Sequence, residues 1–328
     1  MSPGLSPSTR IAAFGGLLAL IAALSGCGGG VENPNGGSAD PRAEMDLVGG
    51  ENAREGDFPQ VFIFTSGDDL EGSFCTATKI TDTLFLTAAH CVLRQEASPG
   101  QRYAGAWRTD VEPGATITYS FTRRMSVSAK RGVMAVRAVH LPPTLQACLN
   151  EPEHPGPGCD RGRAPLPDVA VVEVAGIDGA FAKAPRAALR FDPVRTGRPV
   201  TLVGYGSHRD NDTTKPRLRF HAATVASARA IQRALVGTEA ELDGAPDESL
   251  FFGSLGNLDS PQRANLGSGD SGGPVFSAGD GAIVGVNSDG FCPIGDEACQ
   301  RTTNSFFARL EKGAPHGIGE WLSGLGLH

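Results

Sequence analysis

The sequence has no excess of positive charge, few aromatic residues and no apolar run long enough to cross a bilayer as a helix. Over 328 residues, 29 Lys and Arg against 36 Asp and Glu leave a formal net charge of −7, and aromatics make up 6%. A chain of that sign repels a phosphate backbone instead of displacing its counterions, which argues against nucleic acid as a partner. The apolar run Ile11 to Leu24 has about 14 residues; at ~1.5 Å per residue it spans ~21 Å, short of a hydrocarbon core of ~30 Å. No segment recurs at a fixed period, so a solenoid or propeller array is excluded. Helical patterning is scarce, with stretches only at Ser227 to Leu235 and Ile318 to Leu325. What remains is 40% apolar residues, enough for a large core in one domain or two.

The N-terminus reads as an address. A short segment ending in Arg10, the apolar run and then small residues have the layout of an export signal. Leu24-Ser25-Gly26-Cys27 resembles the lipobox of bacterial lipoproteins, which implies cleavage before Cys27 and acylation of its thiol. An ordinary signal peptide cut near Gly26 is the alternative. Of seven cysteines, setting Cys27 aside leaves Cys75, Cys91, Cys148, Cys159, Cys292 and Cys299, enough for three disulfides in an oxidising compartment. The expected organisation is a signal peptide at 1–26, a lipidated cysteine with a flexible tether or propeptide at 27–46, and a globular domain at 47–328. By the lipoprotein resemblance, Gly28 points to the outer membrane or cell surface, because Asp at that place is associated with inner-membrane retention. The Gly- and Pro-rich tether would reach about 25 Å from the lipid surface.

Beyond Leu47 the pattern changes to short apolar or β-branched runs broken by Gly, Pro, Asp and Asn. Such runs occur at 61–64, 74–80, 84–88, 116–121, 169–174, 200–204, 219–225, 282–287 and 305–310. Many short strands with turn signals indicate an all-β sandwich or barrels. The stretches 142–167, 207–216 and 239–248 are expected to be surface loops.

Three motifs carry chemistry. Gly269-Asp270-Ser271-Gly272-Gly273-Pro274-Val275 is a Gly-rich turn around a serine, and such a turn lets backbone N–H groups approach a developing negative charge. Leu86-Thr87-Ala88-Ala89-His90-Cys91 runs a strand through small residues into a histidine, with Cys75 placed to bond Cys91 and fix the loop. Pro167-Asp168-Val169-Ala170-Val171-Val172 sets an acid at the head of a strand that is apolar on both faces, where a carboxylate can hold one imidazole nitrogen protonated. The other histidines, His140, His154, His208, His221, His316 and His328, lack such surroundings and are expected at the surface.

In the chain order His, Asp, Ser these motifs resemble the chymotrypsin/trypsin serine protease family. The resemblance spans Leu47 to Leu327. It implies two six-stranded antiparallel β-barrels with a C-terminal helix, the catalytic groups lying in the cleft between them. It further implies a secreted endopeptidase acting on protein or peptide substrates through an acyl-enzyme, as a monomer without a cofactor or metal. Carried over residue by residue, His90 is the general base, Asp168 orients it, Ser271 attacks, and the N–H groups of Gly269 and Ser271 form the oxyanion hole. Ser288, Asp289 and Gly290 are the edge that pairs with an extended substrate, with Ser288 near Asp168, and Asn265 and Ser305 lie in the primary specificity pocket.

Three positions depart from the family pattern. Leu47-Val48-Gly49-Gly50 resembles the new N-terminus of an activated zymogen, whose amine would pair with Asp270, but Asp46 precedes it where a basic residue is usual. An activating protease of other specificity is therefore expected. Asn265 offers no counter-charge for Lys or Arg, although Asp289 near the rim does, so an uncharged side chain is the expected preference. Residue 267 is Gly where relatives carry a cysteine, so Cys292 is expected to pair with Cys299, and Cys148 with Cys159, with a zinc clip as the alternative use of these sulfurs. Two rivals share this fold reading, a catalytically silent binding protein and a structural envelope lipoprotein. A third, an esterase built on a Gly-x-Ser-x-Gly turn, would need a parallel α/β pattern that is missing here.

Overall fold

A computed structural model of the chain describes residues 50–66, 74–95, 107–109, 111–120, 131–150, 166–175, 182–206, 217–231, 248–255, 266–267, 269–290 and 304–328. All of them belong to one unit, Pro41–His328. The strands are β1 (Glu51–Asn52), β2 (Val61–Ser66), β3 (Cys75–Lys79), β4 (Leu84–Thr87), β5 (Leu93–Gln95), β6 (Trp107–Thr109), β7 (Thr116–Ser120) and β8 (Arg131–His140). After helix α1 (Pro143–Asn150) come β9 (Ala170–Val174), β10 (Pro199–Gly204), β11 (Arg219–Ser227), β12 (Phe251–Leu255), β13 (Pro274–Ser277), β14 (Ile283–Gly290), β15 (Asn304–Arg309) and helix α2 (Ile318–Gly324).

The first barrel closes in the order β2-β3-β4-β9-β8-β7. The second runs β11-β10-β13-β14-β15-β12 and closes by the β11–β12 pairing, with β1 added outside β11. Both are six-stranded and antiparallel, as the family resemblance implies.

The period-two alternation of a strand explains why so many strands are apolar on both faces. In β2, Phe62 and Phe64 point into the first barrel, while Val61 and Ile63 point outward into a second cluster. Ahead of and along β9, Val169 and Val171 face outward, and Ala170, Val172 and Val174 face in. The outward set meets Val203, Tyr205, Phe276, Ile283 and Val286 of the second barrel. That barrel keeps its own interior of Val200, Leu202, Val225, Phe252, Val275, Val284 and Phe307. Three large cores result, one inside each barrel and one between them, with a small separate cluster of Ala226, Ala228, Ile231 and Phe306.

Some elements differ from expectation. The stretch 142–167, read as loop, begins with α1, whose Pro143 sits at the first helical position where no amide donor is needed. Leu145 and Cys148, three residues apart, give it one buried face. Strands β1, β5 and β6, of two or three residues each, also went unpredicted, as did β8, β12 and β13, where glycine, proline or small residues dilute the alternation. The helix expected from Ser227 does start there, with Ser227 Oγ accepting the Ala230 N–H at 3.0 Å, and the rest of it lies outside the described residues. Among the described residues no helix is long and apolar enough to cross a membrane. Residues 1–49, with the expected signal, lipobox, Cys27 and Leu47, lie outside the description.

Candidate active site

Strand β4 ends at Thr87, and Ala88 and Ala89, both buried, lead into a single 3-10 turn at Ala89–Cys91. That turn presents the His90 side chain at one quarter exposure. The Cys75–Cys91 disulfide ties the turn to the start of β3. Asp168, on the approach to β9, is 7% exposed. Its Oδ1 accepts the His90 backbone N–H at 2.9 Å, and its Oδ2 lies 2.7 Å from His90 Nδ1. An ionised carboxylate can only accept, so Nδ1 carries the hydrogen and the neutral ring leaves Nε2 as a lone-pair acceptor. The same Oδ2 accepts from Ser288 Oγ at 2.5 Å, and Ser288 O in turn lies 3.4 Å from Ser271 Oγ. Ser288 thus bridges Asp168 and Ser271 from the second barrel.

Ser271 sits in the turn between Gly269 and Gly273. Gly269 and Gly272 have φ of +99° and +84°, a region L side chains avoid. A Cβ on Gly272 would lie 2.2 Å from both Thr76 O and Thr87 Oγ1, so the turn rests directly on β3 and β4. Thr76, fully buried, holds it there: its N–H donates to Ser271 O at 2.8 Å and its Oγ1 donates to Gly269 O at 2.8 Å, while accepting the Tyr205 N–H at 3.0 Å. Among the described residues no acceptor takes the N–H groups of Gly269 and Ser271.

Asp270, also fully buried, turns away from the cleft. Its Oδ1 accepts the Gly206 N–H at 2.7 Å and its Oδ2 the Gly267 N–H at 2.8 Å. Gly204 and Gly206 make room for it, because a Cβ on either would fall within 2.3 Å of a carboxylate oxygen. Ser305 has no exposure, and its Oγ accepts the Leu266 N–H at 3.0 Å. It therefore anchors the segment before Ser271 from β15. Asp289 and Gly290 end β14 opposite Phe306 and Ser305, beyond the last residue, Val286, that pairs with β13.

The fold brings together His90, Asp168, Ser271, Gly269 and Ser288. The sequence carried no signal for Thr76, Asn287, Gly204 or Gly206, since a threonine or asparagine in a strand looks like any other. Asn265, Cys159, Cys292 and Cys299 lie outside the described residues. Cys148 is disulfide-bonded, which removes it from any zinc clip. The sulfurs of Cys75 and Cys91 lie with His90 in a group whose ligand atoms fall within 4.8 Å, but their disulfide leaves no thiolate to bind a metal. Three histidines expected at the surface are half-buried: His140, whose Nε2 lies 3.0 Å from Glu173 Oε2, His221 on β11, and His316.

The family model of the trypsin-like peptidase domain matches residues 73–286. Melanization protease 1 of Drosophila melanogaster is 25% identical over 265 residues, covering 76% of this chain and 60% of that protein. The chain thus matches less than two-thirds of the length of this relative. Among solved structures, an inactivated protease paralogue of the scabies mite matches with a TM-score of 0.54 at 17% identity, covering 85% of this chain and 95% of that one. A mutant of human heparin binding protein matches at 0.53 and 18%, covering 84% and 95%. These structural likenesses speak to the fold.

Proposed function

Since the chain belongs to the trypsin-like peptidase family, we propose that it is a serine endopeptidase that cleaves peptide bonds through His90, Asp168 and Ser271. The observation that carries the reading is the double grip of Asp168 on His90, at Nδ1 (2.7 Å) and at the backbone N–H (2.9 Å). It fixes both the tautomer and the position of the ring, with Nε2 left to take a proton. The 3.4 Å contact from Ser271 Oγ to Ser288 O is long for a hydroxyl bond, so the hydroxyl is weakly held and can turn to Nε2.

An extended substrate would add to the edge of β14 at Ser288, Asp289 and Gly290. Ser271 Oγ then attacks the scissile carbonyl carbon as its proton passes to His90 Nε2. The carbonyl oxygen gathers the charge between the N–H groups of Gly269 and Ser271. His90 returns the proton to the amide nitrogen, the C–N bond breaks and the amine leaves an acyl-Ser271 ester. Water, deprotonated by His90, attacks that ester, and Ser271 leaves with the proton. Asp168 stays ionised throughout.

The remaining features of the reading rest on the sequence. Export, a lipid anchor at Cys27, residence in a bacterial cell envelope, monomeric state and activation by cleavage before Leu47 follow from the motifs at the N-terminus and the family resemblance. The preference for an uncharged residue at the cleaved position follows from Asn265. Peptide-library profiling of the protein beginning at Leu47, with fluorophosphonate labelling, tests the core. Labelling and cleavage are expected in the wild type and in neither assay for Ser271→Ala; equal labelling of the two proteins refutes the assignment of the nucleophile.

A further inference from the structure

Asn287, on β14, has no exposed surface. Its backbone already serves the nucleophile turn, with its N–H donating to Gly273 O and its O accepting the Gly272 N–H, both at 2.8 Å. Its side chain does something separate. Nδ2 donates to Val203 O at 3.0 Å and to Asp270 O at 3.2 Å. Both partners are carbonyl acceptors, so the amide nitrogen must face them.

The second bond falls on a particular peptide. Asp270 C=O and Ser271 N–H belong to one planar trans unit and point in opposite directions. Holding the Asp270 oxygen inward therefore aims the Ser271 N–H outward, toward the cleft. Asp270 O also accepts the Gly273 N–H at 3.0 Å, but that donor is part of the turn and would rotate with it. Asn287 brings a donor from a strand outside the turn, itself held by Val203 at the end of β10. The approach is fitted, since a Cβ on Gly273 would lie 2.8 Å from Asn287 Nδ2 and 2.2 Å from Val203 O.

An apolar side chain would pack this site at less desolvation cost, because among the described residues Asn287 Oδ1 has no hydrogen-bond partner. We propose that Asn287 is a positioning residue for the oxyanion donor, its carboxamide locking the Asp270–Ser271 peptide so that the Ser271 N–H points at the substrate carbonyl. The inference builds on Ser271 as the nucleophile.

The test compares wild type with Asn287→Leu, or with the smaller Asn287→Ser should near-UV circular dichroism show that the leucine variant does not fold. Protein labelled with 15N-serine reports the Ser271 amide, assigned by its loss in Ser271→Ala. In the folded variant the Ser271 resonance is expected to shift or broaden, and kcat to fall about ten- to a hundredfold with KM changed less than about threefold. An unmoved Ser271 resonance with wild-type kcat overturns the placement. Should the wild type cleave no peptide at all, the resonance still decides: displaced, it supports the locking role while the peptidase reading falls; unmoved, it removes the locking role too.

Discussion

Ser288 is the residue on which most of the site's geometry converges, since its hydroxyl reaches Asp168 Oδ2 and its carbonyl reaches Ser271 Oγ. Removing the hydroxyl leaves Asp168 with both of its grips on His90, so the effect should be graded. Ser288→Ala is expected to lower kcat roughly tenfold, about the net worth of one charge-assisted hydrogen bond, with secondary structure unchanged; steady-state kinetics with a peptide substrate checks it. Ser271 and His90 were legible because each stands in a short string whose neighbours are constrained with it: glycines at positive φ beside Ser271, small alanines before His90. Thr76 and Asn287 were not. Their roles depend on which carbonyls the fold brings to them from more than ten residues away, and nothing local marks that.

At the scale of elements, the disulfide between the start of β3 and the His90 turn closes a 16-residue span. Constraining a loop of that size stabilises by about 3 kcal/mol through the unfolded state. The double variant Cys75→Ala, Cys91→Ala should therefore lose roughly 6–12 °C of melting temperature in a thermal scan. On β11, burial holds the His221 imidazole below its usual 6.5, with nearby Glu51 pulling the other way. The fold prefers the neutral ring and the unfolded chain takes up a proton near 6.5. Stability from this site is thus intact above pH 6.5 and is lost as pH falls from there through the lowered folded value. His221→Gln should flatten that part of a stability-against-pH curve measured by urea denaturation, and an unchanged slope would contradict it. Strands with strong β-branched alternation were readable, whereas β8 and α1 were not. In β8 the buried Met134 and Val136 share their face with Gly132 and alternate with Val133, which is 56% exposed, so hydrophobicity alone blurs the face. The short α1 hides in a proline-rich stretch whose composition signals a loop.

For the whole molecule, an all-β fold followed from the short apolar runs and two barrels from the family likeness, but the seam between them was not visible in the sequence. It is built from residues that alternate with each barrel's own interior, and only the closed sheets decide which set faces which way. Tyr205 crosses that seam, fully buried, with its hydroxyl donating to Val61 O at 3.3 Å. Tyr205→Phe should cost about 1 kcal/mol and Tyr205→Ala about 3–5 kcal/mol by chemical denaturation, the larger change also reducing peptidase activity in protein that is still folded. The reason lies in Thr76. One threonine of the first barrel grips the nucleophile turn of the second by its amide and its hydroxyl, with no intervening lever. A displacement between the halves would thus reach the Gly269–Ser271 turn directly, through Thr76, without passing through the interior of either barrel.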